Sequence, residues 1–170
     1  MRKLLAVLLL LPALALGQAY PSKPVRIVVP FPAGGPADHF GRFLAQGMSE
    51  RLGQPVLIEN VSGVGGVLGV ERAIKSAPDG YMLALNSAST LAIAPYSLSS
   101  LPYDVQKDFA LITVVVRVPE VLAVHPSVPA NSLAEFIAYA KANPGKINFG
   151  SAGGGSITHL AGELLKAEAG

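Results

Sequence analysis

Two glycine-rich turns are the parts of this sequence whose residue types and spacing suggest chemistry. The first contains Gly34, Gly35 and Asp38, and the second runs from Gly150 to His159. In each, a short apolar stretch leads into the turn and an amphipathic helical pattern follows it. A helix that starts in this way points unpaired backbone N–H groups, and the positive end of its dipole, at whatever lies above the sheet. The sequence therefore predicts two anion-binding turns.

Both turns also have structural interpretations that stay open. Asp38 could cap the helix start, as acidic residues do in many α/β proteins that bind nothing there; the duplicated layout favours binding. In the second turn, Ser156, Thr158 and His159 offer groups that can hydrogen-bond an anion without a titrated base. His159 could equally be a packed helix residue.

An enzymatic role is the least favoured hypothesis. His159 lies about one helical turn after Ser156, so a serine hydrolase using this pair remains an alternative. However, neither Ser156 nor Ser151 is framed as G-x-S-x-G, and no third group is visible to orient the histidine. The glycine cluster that starts at Gly63 misses the dinucleotide pattern G-x-G-x-x-G because Leu68 holds the place of its last glycine. We predict that the chain is not an enzyme and that this cluster allows a helix to pack closely on the sheet.

The N-terminal segment has the pattern of a secretory signal peptide. Arg2 and Lys3 form a charged start, residues 4–16 are apolar, and a small-residue cleavage site ends at Ala19. The thirteen apolar residues fall short of the roughly 20 needed to span a bilayer, which disfavours a membrane anchor. We predict export to the periplasm with cleavage after Ala19.

Composition excludes several kinds of partner. Without the signal segment, eleven lysine and arginine residues face eleven aspartate and glutamate residues, and this balance gives no basis for a nucleic-acid surface. The sequence has no cysteine, and its three histidines, His39, His125 and His159, lack metal-ligand spacing. Neither a metal nor any other cofactor is predicted.

The elements that must position the first turn alternate between strand and helix. Strands are predicted at residues 25–31, 56–59 and 81–85, with helices at 37–52 and 67–76. This alternation indicates an α/β fold with a parallel sheet.

A second group of elements follows a change of rhythm after Asn86. Its predicted members are strands at 111–116, 121–125 and 146–149, a helix from Asn131 or Ser132 to Ala142, and a helix from about Ser156 to Ala167. The last strand has no apparent neighbour, so we expect a C-terminal part of this group to be missing. The predicted organisation is a signal peptide at 1–19, the N-terminal part of lobe 1 at 20–104 and a partial lobe 2 at 105–170.

A series of short motifs runs in order from Tyr20 to Gly170. They include Y-P-S-K-P-V-R-I-V-V-P-F at 20–31, A-G-G at 33–35, L-G-Q-P-V at 52–56, P-D-G-Y at 78–81, L-P-Y-D at 101–104 and H-L-A-G-E at 159–163. These motifs resemble those of the Bug (TctC-like) solute-binding receptors of bacterial tripartite tricarboxylate transporters. The sequence departs from that family at Pro32, where the family usually has alanine, and in length, because family members are much longer.

The resemblance implies a type II periplasmic binding protein fold. This fold is α/β, with two lobes of mainly parallel sheets flanked by helices; here the second lobe and its return to the first would be incomplete. It also implies that the turns at 31–38 and 151–159 face each other across a cleft and hold a carboxylate, with side-chain contacts from the loop at 86–90. The ligand-binding residues expected on this basis are Phe31, Ala33, Gly34, Gly35, Asp38, Asn86, Ser87, Ser89, Ser151, Gly154, Gly155, Ser156, Thr158 and His159.

The predicted function is therefore capture of a small carboxylate by a monomer in the periplasm. A di- or tricarboxylate, or a related organic acid, would be delivered to the membrane permease subunits of a tripartite tricarboxylate transporter. A non-functional or partial fragment of such a receptor is the alternative hypothesis.

Overall fold

The computed structural model describes residues 19–170, so the predicted signal peptide lies outside the described residues apart from Ala19. The centre of the fold is a three-stranded parallel sheet with the strand order β2-β1-β3. In its register, Ile27 lies beside Ile58 on one neighbour and Leu83 on the other. The strands are β1 (Val25–Val29), β2 (Val56–Asn60) and β3 (Met82–Ala84). The three strands predicted in this part of the chain are confirmed, with β1 and β3 shorter than expected.

Strand β1 is buried because it lies in the middle of the sheet. Val25, Ile27, Val28 and Val29 are at most 1% exposed, and within the strand only Arg26 reaches solvent. β-branched side chains suit such a position, since their stiff χ1 angles cost little in a strand and fill the space between sheet and helix. The continuous apolar run in the sequence is explained by this burial.

Helices pack against the sheet and complete two hydrophobic clusters. Ala45 of the first helix joins the cluster formed by Val25, Ile27, Val29 and Val56. Val67 and Val70 of the second helix pack with Ala94 and Tyr103 in the other cluster. The helices are α1 (Pro36–Leu52), α2 (Val67–Ile74), α3 (Ala94–Ser97), α4 (Leu133–Ala142) and α5 (Ile157–Ala169).

Glycines set the ends and the packing distance of these helices. Helix α1 starts after its N-cap Gly35 and stops at Gly53, whose φ of 66° is left-handed. A Cβ atom built on Gly69 would lie 2.6 Å from Cα of Pro30, so α2 can approach the end of β1 only because this residue is glycine. The predicted close packing of a helix on the sheet at the glycine cluster that starts at Gly63 is confirmed.

The sheet order creates a topological switch point beside β1. The chain leaves β1 towards β2 on one side and reaches β3 on the other. Because the strands are parallel, the loops that follow them, at 30–35, 61–66 and 85–90, lie at the same edge of the sheet. Ligands of open α/β sheets bind in the crevice at this kind of edge.

The C-terminal part of the chain differs from the prediction. Its two helices are confirmed, and Ser132 rather than Asn131 is the N-cap of α4, accepting a hydrogen bond from the N–H of Glu135 at 3.3 Å. The strands predicted at 111–116, 121–125 and 146–149 are wrong, since those residues are irregular and largely exposed. Among residues 19–170, no backbone hydrogen bond joins these segments to one another or to the sheet. A β-branched run becomes a strand only where a neighbour pairs with it.

Among residues 19–170, no helix combines the length and the apolar character needed to cross a membrane.

Candidate ligand-binding site

The first glycine turn is stabilised by hydrogen bonding to the carboxylate of Asp38, a residue that is 3% exposed. Its Oδ2 accepts hydrogen bonds from the backbone N–H of Gly34 at 2.8 Å and from Nε of Arg42 at 2.9 Å, and its Oδ1 accepts one from Nδ2 of Asn60 at 3.0 Å. The bonds from Arg42 and Gly34 lower the pKa of Asp38 to about 2. The carboxylate is therefore charged at neutral pH, and three protein donors surround it.

This network decides which donors of the first turn remain for a ligand. The N–H of Gly34, whose φ is 81°, points to Asp38. Within the described part of the chain, no hydrogen bond uses the backbone N–H groups of Ala33, Ala37 or Asp38. Gly35 shapes the turn by donating to the carbonyl of Pro32 at 3.4 Å. The available donors therefore sit on either side of the glycine pair.

The second glycine turn is organised by hydroxyl groups. Ser156 is the N-cap of α5, where its Oγ accepts from the N–H of His159 at 3.2 Å and donates to the carbonyl of Gly153 at 2.6 Å. Oγ1 of Thr158 accepts from the N–H of Ala152 at 2.9 Å. In residues 19–170, no hydrogen bond uses the N–H groups at positions 154, 155 and 158. The turn thus offers backbone donors, while its hydroxyls hold its shape.

In the described structure, no hydrogen bond joins the ring of His159 to the hydroxyl of Ser156. Its Nδ1 is 3.4 Å from Oγ of Ser151, and the ring stacks on Phe149 with centroids 5.8 Å apart. The hydroxyl hydrogen of Ser156 is directed to the carbonyl of Gly153 rather than to a base. This arrangement supports the packed interpretation of His159 and gives no support to the serine hydrolase hypothesis.

The loop after β3 brings polar groups to the same edge of the sheet. Oδ1 of Asn86 is buried without a hydrogen-bond partner in the described structure. Oγ of Ser87 accepts from the N–H of Ser89 at 3.2 Å. Oγ of Ser89 accepts from the N–H of Ile157, at the start of α5, at 3.0 Å. A buried amide oxygen without a partner is costly, so Asn86 needs a hydrogen-bond donor such as water.

A π-helical turn, Ser89–Ile93, follows this loop and was not foreseen from the sequence. Such turns are rare and concentrate at functional sites. The usable signal is Pro95, because a proline has no N–H to donate to the carbonyl four residues earlier. The hydroxyl of Tyr103 holds the turn by donating to the carbonyl of Thr90 at 2.7 Å.

The glycine turn after β2 also forms part of the site, which sequence reasoning missed. A Cβ atom built on Gly65 would lie 3.0 Å from the carbonyl oxygen of Gly154. One built on Gly66 would lie 2.7 Å from Cγ2 of Thr90 and 3.4 Å from the ring of Phe31. This turn therefore lies between the end of β1 and the second glycine turn. Its glycines, at the end of a strand in the same sheet, were the available signal.

The structure thus gathers the predicted residues around the carboxyl ends of the strands. A separate groove of about 600 Å³ between α1 and β2 contains none of them. Its arginines are paired, Arg42 with Asp38 and Arg26 with Glu59 at 3.6 Å. The switch-point edge, with its unpaired N–H groups and Asn86, is the better candidate site.

Comparison with known proteins identifies the family. The model of the tripartite tricarboxylate transporter family receptor, TctC, matches residues 40–170. The chain belongs to this family. The resemblance found in the sequence is thereby confirmed.

Individual relatives of the TctC family agree in sequence and in structure. BugT of Bordetella pertussis is 41% identical over 152 residues, which make up 89% of this chain and 47% of BugT. A structure of an R. palustris protein with adipate has 35% identity and a TM-score of 0.83, covering 86% of this chain and 49% of that one. MatC from Rhodopseudomonas palustris with bound malate has 32% identity and a TM-score of 0.76, covering 88% and 51%.

These comparisons also confirm the predicted fold class, that of periplasmic solute-binding proteins. The chain spans about half the length of the curated relatives it matches. Its sheet and flanking helices therefore correspond to part of the two-lobed architecture.

Proposed function

We propose that this protein is an extracytoplasmic receptor that binds a small carboxylate at the switch-point edge of its sheet. The observation that carries the proposal is the convergence of two helix starts with unpaired backbone N–H groups at this edge. Relatives of the TctC family solved with adipate and malate indicate the ligand class. A di- or tricarboxylate, or a related organic acid, would fit.

The chemistry of the site suits an anion held by uncharged donors. The loops at 30–38, 61–66, 86–90 and 150–159 contain no lysine or arginine. Backbone N–H groups at helix starts can hold a carboxylate, each charge-assisted bond contributing on the order of 1.5–3 kcal/mol. The one carboxylate in these loops, that of Asp38, is neutralised by Arg42. Binding without a titrating base is consistent with a receptor that performs no chemistry on its ligand.

The remaining parts of the proposal concern the context of the receptor. The chain would be exported, lose residues 1–19 by cleavage after Ala19, and act as a monomer in the periplasm. Lobe 1 would comprise residues 20–104 and the described part of lobe 2 residues 105–170. The loaded receptor would meet the permease subunits of a tripartite tricarboxylate transporter, as the family description suggests.

Calorimetric titration with malate, adipate and citrate tests the proposal. Gly34→Leu and Gly155→Leu should each weaken binding about tenfold or more, because each places a side chain among the donors of one turn. Gly53→Leu and Gly145→Leu are matched controls. Like the first two, both glycines have a left-handed φ, which is 66° at Gly53 and 72° at Gly145. A Cβ atom built on either would meet nothing within 4 Å.

The controls separate loss of the site from backbone strain. If the controls weaken binding as much as the site variants, strain rather than the site explains the effect, and the assignment of the turns is wrong. If the unaltered protein binds none of the three carboxylates, the receptor proposal itself fails.

The alternative, a partial receptor, is favoured by one observation. Large apolar side chains of the C-terminal part are exposed, including Leu111 at 73%, Ile112 at 78% and Val121 at 82%. Apolar surface of this kind normally marks an interface that requires covering. Strong fluorescence of anilinonaphthalene sulfonate with the isolated chain, together with a non-cooperative melt, would support this alternative; a cooperative melt without dye binding would exclude it.

A further inference from the structure

Ser89 was expected to contact the ligand, and the structure shows that its Oγ also accepts a hydrogen bond from a distant part of the chain. The side chain lies in the π-helical turn and is 2% exposed. Its Oγ accepts a hydrogen bond from the N–H of Ile157, which lies 68 residues further along the chain. Ile157 is the first residue of α5, so this N–H is one of the four donors that a helix leaves unpaired at its start.

We propose that Ser89 acts as a latch, a positioning residue that fastens the second glycine turn to the switch-point edge. The inference rests on the receptor function proposed above. By accepting the N–H of Ile157, the latch orients the start of α5 so that the unpaired N–H groups of Gly155 and Thr158 are presented to the ligand. Ser89 contributes to affinity through α5.

Further hydrogen bonds fix the π-helical turn that carries Ser89. The N–H of Ser89 donates to Oγ of Ser87 at 3.2 Å. The neighbouring Thr90 is fully buried, and its carbonyl accepts the hydroxyl of Tyr103 at 2.7 Å. Tyr103 in turn packs edge-on against Phe109, with centroids 5.7 Å apart. The turn that carries the acceptor is therefore fixed by one hydrogen bond at Ser89 and another at Thr90.

The second glycine turn can approach the turn after β2 closely only because residue 65 is a glycine. Gly65 adopts a φ of 61°, and a Cβ atom built on it would lie 3.0 Å from the carbonyl of Gly154 and 3.3 Å from N of Ser156. Ser156 is 1% exposed at this contact. Close backbone approach and the hydrogen bond from Ile157 thus occur at the same place, as expected of a latch rather than of a chance polar contact.

A double-mutant cycle tests the latch with two small changes. Ser89→Ala removes the acceptor. Ile157→Pro removes the donor, and proline is well tolerated at the first position of a helix, where the preceding Ser156 is already extended with ψ of 157°. Each single variant should weaken carboxylate binding about three- to tenfold, the range expected for one intramolecular hydrogen bond. The double variant should be no weaker than the weaker single variant, because both changes remove the same bond.

A second readout does not depend on the ligand. Amide hydrogen exchange at Ile157, followed by NMR on the unliganded chain, should accelerate about tenfold in Ser89→Ala. Ser89→Thr, which keeps the hydroxyl, should restore slow exchange, which a purely packing role would not explain. Ser100→Ala is the matched control, because it removes an exposed serine hydroxyl from the same part of the chain.

The outcomes distinguish failure of the latch from failure of the receptor function. Additive losses of affinity in the cycle, or unchanged exchange at Ile157 in Ser89→Ala, overturn the latch. Unaltered protein that binds no carboxylate, combined with accelerated exchange in Ser89→Ala, overturns the receptor function and leaves the contact between Ser89 and Ile157 as a purely structural fastening.

Discussion

The N-terminal and C-terminal parts of the chain contain similar sequences with different structures. Residues 25–29, V-R-I-V-V, form the central strand of a sheet, whereas residues 112–116, I-T-V-V-V, are irregular. Ile27 is 1% exposed and Ile112 is 78% exposed. The comparison teaches that β-propensity describes a fit to a pleated, partly buried surface and cannot create that surface. Two neighbouring strands are present for β1 in the described chain, and none is present for residues 112–116.

Truncating one isoleucine in each part should give the largest difference in the free energy of unfolding between the two parts. Ile27→Ala should lower the free energy of unfolding by about 2–5 kcal/mol, because it leaves a cavity in the core. Ile112→Ala makes the same chemical change on the surface and should alter it by less than about 0.5 kcal/mol. Urea denaturation followed by circular dichroism measures both. Equal effects would mean that residues 112–116 are buried in solution.

Adding a methyl group to a helical glycine should have a smaller effect, again dependent on neighbours. Gly69→Ala should destabilise by about 1–3 kcal/mol, because its Cβ atom would meet Pro30 and the carbonyl of Val61, each at 2.6 Å. Gly47→Ala in α1 is the matched control, since a Cβ atom there would meet nothing within 4 Å. It should stabilise the protein by about 0.5–1 kcal/mol through helix propensity. Thermal melts of the two variants should therefore shift in opposite directions.

Acid should distinguish the two glycine turns, because only the first is held by a charged group. The pKa of Asp38 is lowered from 3.8 to about 2, so its contribution to stability is fully present above pH 3.8 and lost as the pH falls towards 2. The stability difference between the unaltered protein and Asp38→Asn should stay constant from pH 7 to about pH 4 and then shrink. The midpoints of urea denaturation of both proteins, measured across this pH range, give this stability difference.

The matched control for this change is Glu168→Gln. It removes one negative charge from an exposed position near the end of α5, and Glu168 itself forms no ion pair in the described structure. A difference between Asp38→Asn and the unaltered protein that titrated near pH 6 would contradict the assignment to Asp38. An equal pH dependence of the stability difference in Glu168→Gln would contradict the assignment as well.

The four longer helices were predicted correctly because the relevant signals are local. Helix α3 was not predicted, because Pro95 indicates a helix break, although proline is tolerated in the first turn of a helix. Gly53 and the pair Gly35-Pro36 mark the ends of α1, and Ser132 and Ser156 provide the N-caps of α4 and α5. A cap depends on residues within one helical turn of it, so the sequence contains the necessary information.

The arrangement of the candidate site could be predicted only in part, for the opposite reason. The sequence indicated a polar loop at 86–90 and two glycine turns, and the structure brings these to one edge of the sheet. It could not show that Asp38 is enclosed by its own Arg42 and Asn60, nor that Ser89 is bonded to Ile157. These partners lie up to 68 residues apart in the chain. No local pattern specifies which donor reaches which acceptor.

By itself, the sequence determined the four longer helices, the central strand, the family and the two donor-rich turns, since each depends on residue types at short spacing. The tertiary structure alone decided which β-branched runs became strands, which N–H groups remained unpaired, and that the turn at 63–66 lies between the end of β1 and α5. These outcomes depend on long-range pairing and packing, whose free energy appears only when distant segments meet. The physical reason is that a hydrogen bond or a buried surface belongs to two partners, and a sequence read locally names only one of them.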